Sequence, residues 1–102
     1  MQPTNIDHAA VRNDWAERGF SCDLWIDPPA QVWHDFEHDV DHLALLIEGM
    51  CQVEMEGRTV RLTGGDELLV PAGTRHTVRN YGDRPARWLH GFRGKLSSSQ
   101  QA

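Results

Sequence analysis

The chain of 102 residues has few cysteines and no long apolar segment. Its two cysteines, Cys22 and Cys51, are too few for a disulfide scaffold. No apolar run approaches the roughly 20 residues that a membrane-spanning helix needs, so no membrane partner is expected. The first ten residues carry neither the basic nor the apolar region of a secretory signal. We therefore expect a cytoplasmic location.

Positive charge is also scarce. Ten Lys and Arg residues face 15 Asp and Glu residues, giving a net charge of −5. A nucleic-acid-binding surface needs a basic face, so no nucleic-acid partner is expected. The length suits one domain, and a hydrophobic content of 39% is enough for one modest core. Histidine, by contrast, is abundant at six residues, which is the first indication of function.

Helical spacing is confined to the beginning of the chain, where residues 7–17 predict a short helix with Asp7 as N-cap and Gly19 as stop signal. Short strand-like segments separated by turn residues follow, and they predict an all-β sandwich or barrel. These segments are 20–26, 31–36, 42–48, 51–56, 59–62, 67–70, 75–80 and 86–92. The predicted organisation is an N-terminal arm or helix over 1–18, a barrel over 19–94 and a disordered tail over 95–102.

A complete motif lies within residues 65–80, which fit the pattern G-x5-P-x-G-x2-H-x3-N at every fixed position. Gly65 permits a turn, Pro71 ends a strand, and Gly73 allows the chain to reverse into the next strand. This segment resembles the second motif of the small single-domain cupins. The resemblance implies a cupin jelly-roll β-barrel with a short N-terminal helix or arm, and a metal site inside the barrel.

The histidine of this motif should point into the barrel. His76 and Val78 share one face of the predicted strand, whereas Arg75 and Arg79 share the other, which must face water. A buried imidazole needs partners, and a metal ion supplies one. The alternative is a core histidine satisfied by hydrogen bonds alone.

The first cupin motif, G-x5-H-x-H-x3/4-E-x6-G, is degenerate in this chain. When it is aligned on Gly49, His38 keeps the position of the second histidine. Phe36 takes the place of the first histidine, His42 that of the glutamate, and Ala30 that of the leading glycine. The family's set of three histidines and one glutamate therefore cannot form.

Geometry restricts which histidines can replace that set. Residues four apart on one strand lie about 13 Å apart, so His34 and His38 cannot share an ion. A turn over residues 39–41 would instead make His38 and His42 cross-strand neighbours, close enough for one ion to bridge. With His76 as the third ligand, the ring nitrogens should lie within about 4 Å of one another. The predicted metal ligands are His38, His42 and His76.

Such a site suits a divalent transition metal, namely Zn, Fe, Ni, Mn or Cu. Phe36, which occupies a ligand position, should narrow the pocket. His90 shares the parity of Trp88 and Phe92 on its strand, so His90 and Trp88 are further pocket candidates. The alternatives are a rim histidine without metal for His90 and barrel packing for Trp88. No residue is an obvious general base, so the catalytic residues stay unknown; Asp41, Glu48 and His90 are conceivable.

The segment 42–48 is apolar on both faces. If His42 points inward, then Leu43, Leu45 and Ile47 form a stripe on the outer face, where polar residues would be expected. A solvent-facing stripe of three large aliphatic side chains predicts an interface, and symmetric pairing is the commonest assembly. We therefore expect a homodimer. The alternative is that the N-terminal helix or strand of the same chain covers the stripe.

Three functions fit these features. The first is a metal-dependent enzyme that acts on a small organic molecule, resembling the three-histidine dioxygenases among cupins. The second is a metal-dependent isomerase or lyase, in which the ion acts as a Lewis acid. The third is a non-catalytic binding or sensor module that holds a small ligand.

Overall fold

A computed structural model describes residues 6–95, which form one helix and eight strands. The elements are α1 (His8–Glu17), β1 (Asp23–Asp27), β2 (Val32–Phe36), β3 (His42–Glu48), β4 (Cys51–Met55), β5 (Arg58–Leu62), β6 (Glu67–Val70), β7 (His76–Asn80) and β8 (Ala86–Phe92). Of the predicted tail, only Lys95 lies within the described residues. No helix in this part of the chain is long and apolar enough to cross a membrane.

Two antiparallel four-stranded sheets build the molecule. One sheet has the order β1-β8-β3-β6 and the other the order β2-β7-β4-β5. Consecutive strands β1 and β2 lie in different sheets, as do β2 and β3, so the chain crosses repeatedly between the two layers. This arrangement confirms the predicted all-β jelly-roll barrel.

The space between the sheets holds the first of two cores. Alternate residues of the facing strands are buried there, as the strand period of two requires. Its buried members are Ala44, Leu46, Cys51, Val53, Leu62, Val78, Ala86 and Trp88. This core fills the interior of the barrel beyond the first residues of β3 and β7.

A second core lies outside the barrel, under α1. Trp15 of the helix is fully buried and packs in one cluster with Leu43, Leu45 and Ile47. The indole Nε1 of Trp15 also donates a hydrogen bond to Oε1 of Glu67 on β6, at 3.1 Å. The apolar stripe of β3 is therefore covered by the chain's own helix. The homodimer stays a prediction, but the stripe no longer supports it.

The alternation of Phe20, Cys22, Leu24 and Ile26 in the sequence predicts one shared face with Cys22 turned inward, and the structure reverses this orientation. Cys22 lies under α1 in the outer core, not inside the barrel, and Leu24 and Ile26 on the same face are largely exposed. The inward residues are Trp25 and Asp27, which line the interior cavity. Alternation of apolar residues identified two faces correctly, but it could not tell a barrel core from a helix-covered core.

Both cysteines are buried and behave as small apolar side chains. Burial raises the pKa of the Cys22 thiol to about 11 and that of the Cys51 thiol to about 12. At neutral pH both groups are thiols, whereas a thiolate is the form that binds metal or attacks as a nucleophile. The cysteines therefore have a packing role.

The two glycines of the second motif lie in turns that need a positive φ angle. Gly65 has a φ of 95° and Gly73 a φ of 77°, values in the left-handed region that glycine reaches without steric cost. Ala30, which stands where the first cupin motif has glycine, also has a positive φ of 67°. The chain thus keeps the turn of the degenerate first motif even though a residue with a Cβ occupies it.

The close packing of the helix on the sheet predicts that Gly91→Ala destabilises the fold. A Cβ at this position in β8 would overlap the carbonyl oxygen of Ser21 and lie 2.8 Å from Cε3 of Trp15. Overpacking of this kind costs about 1–3 kcal/mol or more. Gly82→Ala is the matched control, because its Cβ would lie 3.5 Å from its nearest neighbours. Urea unfolding should separate the two variants, and equal midpoints would contradict this packing.

Candidate metal centre

Three histidines converge at the mouth of the barrel. One ring nitrogen from each of His38, His42 and His76 lies within 4.8 Å of the others, somewhat wider than the distance expected from the sequence. The ring centroids are 5.3 Å apart for His38 and His42, 5.5 Å for His38 and His76, and 5.9 Å for His42 and His76. A small contraction would let a single ion contact all three.

The strand starts of opposite sheets provide two of these side chains. His42 is the first residue of β3 and His76 the first residue of β7. His76 is buried, and its Nδ1–H donates a hydrogen bond to the carbonyl oxygen of Thr74 at 3.0 Å. Because a carbonyl only accepts, the proton lies on Nδ1 and the lone pair of Nε2 is left for another partner.

His38 reaches the cluster from the loop between β2 and β3. Its carbonyl oxygen accepts a hydrogen bond from the amide of Gly73 at 2.8 Å. At the end of the loop, the carboxylate of Asp41 accepts from the amide of Ala72 at 2.8 Å and from Nε of Arg93 at 3.0 Å. These two hydrogen bonds hold the pKa of Asp41 below its usual range, and the bond from the amide of Ala72 has the larger effect. The loop that carries His38 is thus tied to the second-motif loop.

His38 and His42 lie close together, but not for the reason that the sequence suggested. The two were expected to be cross-strand neighbours, but β2 and β3 belong to different sheets and do not pair. His38 also follows the end of β2 and lies outside any strand. The side chains meet because the loop crosses the open end of the barrel, from one sheet to the other.

His42, at the position where the family pattern has glutamate, is deeply buried. Only 5% of its surface is exposed, and its Nε2 lies 2.7 Å from Nδ1 of His90 in a hydrogen bond. Its other nitrogen, Nδ1, is buried and has no hydrogen-bond partner among the described residues. Burial, followed by the proximity of other histidines, lowers the pKa of His42 to about 2. The ring is therefore neutral at physiological pH.

The orphan nitrogen of His42 provides a test of whether these residues suit a metal. A buried polar atom without a partner is costly. In the tautomer in which Nε2–H of His42 donates to His90, Nδ1 carries no proton and needs either a donor or a cation. A metal-bound histidine commonly donates the N–H of its second ring nitrogen to a neighbouring group. For His42, Nδ1 of His90 can accept that hydrogen bond. The three converging imidazoles therefore fit a divalent transition metal.

Beside the histidines lies a cavity of about 300 Å³. Residues from both sheets line it, and most of them are aromatic or imidazole side chains. They are Trp25, Asp27, Trp33, Phe36, His38, His42, His76, Val78, His90 and Phe92. The cavity offers an apolar chamber with the three histidines in its wall, as a small-molecule site would require.

Two of the three pocket candidates line this cavity. Phe36 stacks on His38 with ring centroids 6.0 Å apart, and His90 bonds His42. Trp88 instead belongs to the interior core, fully buried, where its ring stacks on that of His90 at 5.1 Å. Its side chain fills the barrel below the site and supports the ring of His90.

A bulge in β2 allows Trp33 and Phe36 to face the same cavity. Strict alternation would put them on opposite faces, but the register with β7 shifts between these two residues. Asp35, within the shift, has a φ of 52°, and its amide donates to Oγ1 of Thr77 at 3.1 Å. The extra residue turns Phe36 back toward the interior.

The acidic residue in the cavity was not among the conceivable bases. Asp41 bridges two loops, and Glu48 forms a surface ion pair with Arg87 at 3.1 Å. Asp27 is the carboxylate that lines the cavity, and it is only 3% exposed. The sequence does place Asp27 on the same face of its strand as Trp25, two residues earlier. The apolar residues of the opposite face, however, favoured that opposite face as the inner one.

The burial of the imidazoles predicts that the metal-free protein loses stability between about pH 7 and about pH 5. Burial lowers the pKa of His42 to about 2 and that of His90 to about 4, both from 6.5. The unfolded chain therefore binds more protons in this interval, and the free energy of unfolding falls as the pH falls. Each histidine should contribute about 2 kcal/mol to this loss, as measured by urea unfolding of chelator-treated protein.

The matched pair His90→Gln and His34→Gln isolates this contribution. His90→Gln removes one of the two buried titrating groups, so its loss of stability on acidification should be about 2 kcal/mol smaller than that of the wild type. His34 is exposed, and its replacement should leave the pH dependence unchanged. The same pH dependence in His90→Gln and wild type would refute the account.

Comparison with known proteins agrees with this architecture. The family model of the cupin domain matches residues 24–92. The tetracenomycin polyketide synthase protein TcmJ of Streptomyces glaucescens is 35% identical over 72 residues, which are 71% of this chain and 48% of that protein. The polyketide synthase CurC of Streptomyces cyaneus is 27% identical over 74 residues, or 72% of this chain and 48% of that protein. The chain thus spans about half the length of these curated relatives.

Among solved structures, the chain is similar to the TT1209 protein of Thermus thermophilus. The two share 28% sequence identity and a TM-score of 0.64, and the match covers 69% of this chain and 68% of the other. The family match extends from β1 to the end of β8 and includes all three converging histidines. The chain belongs to the cupin family.

Proposed function

We propose that this cupin holds one divalent transition metal with His38, His42 and His76 and acts on a small aromatic organic molecule in the adjoining cavity. The observation that carries the proposal is the convergence of three imidazoles, one with an orphan nitrogen, at the wall of an apolar chamber. Zn, Fe, Ni, Mn and Cu are the candidate ions, since imidazole suits most of them.

The lining of the cavity supports an aromatic ligand. Trp25, Trp33 and Phe36 form a connected set of rings, with centroids 6.3 Å apart for the two tryptophans and 5.6 Å for Trp33 and Phe36. Aromatic walls favour planar apolar molecules, which they contact with large area at little entropic cost. Two relatives are named as polyketide synthase proteins. We therefore infer a carbonyl-bearing polyketide or a molecule derived from one as the substrate class.

A bound ion would supply Lewis acidity toward a carbonyl or enol oxygen and, if redox-active, would support dioxygenase-like chemistry. The chain's own groups contribute the rest. The aromatic rings orient the molecule, Phe36 limits its size near the histidines, and His90 fixes the ring of His42 through their hydrogen bond.

Turnover assays separate the three functions open to such a site. Oxygen uptake with polyketide-derived phenols or diketones would support a dioxygenase-like enzyme. Substrate conversion without oxygen uptake would support an isomerase or lyase, and saturable binding without conversion would support a non-catalytic binding or sensor protein. Absence of binding by all such compounds would contradict the proposal. The homodimer and the cytoplasmic location stay predictions.

The central residue of the proposed site is tested by His76→Ala. Removing one of three ligands should abolish stoichiometric metal while leaving the barrel folded, because apolar burial and not the ion stabilises the fold. Elemental analysis of protein purified without a metal-affinity tag measures the metal content, and circular dichroism checks the fold. His34→Ala is the matched control, since His34 is exposed on β2 and should not affect the metal. Full metal retention by His76→Ala would reject the site.

A further inference from the structure

Asp27 is a buried carboxylate in an apolar cavity. It ends β1, is 3% exposed, and lines the cavity together with the histidines. None of the basic side chains among residues 6–95 forms an ion pair with it. Burying a carboxylate without a cation is costly unless hydrogen-bond donors satisfy its oxygens. The hydrogen-bond donors that contact Asp27 therefore show which of its two carboxylate oxygens is still without a partner.

Both hydrogen bonds to the Asp27 side chain fall on the same oxygen. Oδ1 accepts from the indole Nε1 of Trp25 at 3.1 Å and from that of Trp33 at 3.0 Å. Within the described part of the chain, Oδ2 receives no donor. Each carboxylate oxygen has two acceptor sites, so Oδ2 is still able to accept a hydrogen bond from a ligand in the cavity that Asp27 lines.

The carboxylate lies at the opposite end of the cavity from the three histidines. Asp27 pairs with Ala86, the first residue of β8, whereas His42 pairs with Phe92, the last residue of that strand. The rings of Trp25 and Trp33 lie between the two ends. A ligand that reaches both ends must therefore be elongated, with a flat apolar middle.

The apolar lining of the cavity decides which donor suits the carboxylate. An ammonium group would have to lose its hydration on entering, which costs far more than the desolvation of a neutral hydroxyl. A neutral hydroxyl donates one hydrogen bond to a carboxylate oxygen without adding charge, and such bonds to charged acceptors are strong. The observations thus favour a hydroxyl group.

We propose that Asp27 recognises a phenolic or enolic hydroxyl at the end of an aromatic ligand remote from the metal-binding histidines. The proposal rests on the proposed function for the ligand's aromatic class, and it adds the position and the polarity of one substituent. Asp27 is a specificity-determining residue that holds the ligand by accepting its hydrogen bond.

The substitution Asp27→Asn tests the proposal with little change of shape. The amide oxygen can still accept from both indoles, while the NH2 group replaces Oδ2 and turns an acceptor into a donor. The probes are 2-naphthol, which donates, and 2-methoxynaphthalene, which only accepts. Their binding can be followed by quenching of tryptophan fluorescence, because Trp25 and Trp33 line the cavity.

Wild-type protein should bind 2-naphthol about tenfold more tightly than 2-methoxynaphthalene, as one hydrogen bond to a charged group implies. Asp27→Asn should lose or reverse this preference at an unchanged unfolding midpoint. Asp35→Asn, at an exposed aspartate of β2, is the matched control and should keep it. An equal preference in wild type and Asp27→Asn would overturn the proposal, as would tighter binding of 1-naphthylmethylammonium than of 2-naphthol.

A second variant keeps the test decisive if Asp27→Asn does not fold. Trp33→Phe removes one indole donor but leaves the carboxylate, so the preference for 2-naphthol should persist or increase. Its disappearance would assign the preference to the indole and overturn the proposal. All measurements are made on metal-free and metal-loaded protein. The preference for 2-naphthol should appear in both forms. If a protein that retains metal lacks this preference, the proposed role of Asp27 is wrong while the proposed metal site still holds.

Discussion

The burial of an unpaired ring nitrogen at the barrel mouth is the constraint on which the site depends. Nδ1 of His42 is shielded from water and bonded by no described residue, while Phe92 stacks on the ring with centroids 4.7 Å apart. Protonation would place a charge in these apolar surroundings, so the ring stays neutral and its pKa falls to about 2. The hydrogen bond between the other nitrogen and Nδ1 of His90 fixes the ring's orientation. A neutral, oriented imidazole with an unoccupied nitrogen beside two further histidines is what a transition metal requires.

Much of the architecture followed from local patterns in the sequence. The helix, the eight strands and the jelly-roll barrel agree with hydrophobic periodicity and with the complete second motif. The motif glycines Gly65 and Gly73 have the positive φ angles that its spacing implies. His76 points inward because the opposite face of its strand carries charged residues. These features depend on short-range geometry, which one sequence segment determines by itself.

Other features depend on contacts between distant segments and could not be predicted. The stripe on β3 suggested a partner chain, but Trp15 covers it from the same chain. The inward turn of Phe36 needs a bulge, and the bulge depends on pairing with β7. Asp27 was missed because periodicity alone cannot say which face of β1 lies inside the barrel. The position of His38 likewise arises from a loop that crosses between the sheets, not from strand pairing.

Anomalous diffraction from a crystal grown with zinc tests the central claim most directly, because it locates the ion independently of activity. The account predicts one peak per chain, about 2.0–2.1 Å from a ring nitrogen of each of His38, His42 and His76. His90 should remain hydrogen-bonded to His42 and outside the coordination sphere. A peak bound elsewhere, or one that leaves His42 uncoordinated with its Nδ1 still buried, would contradict the account.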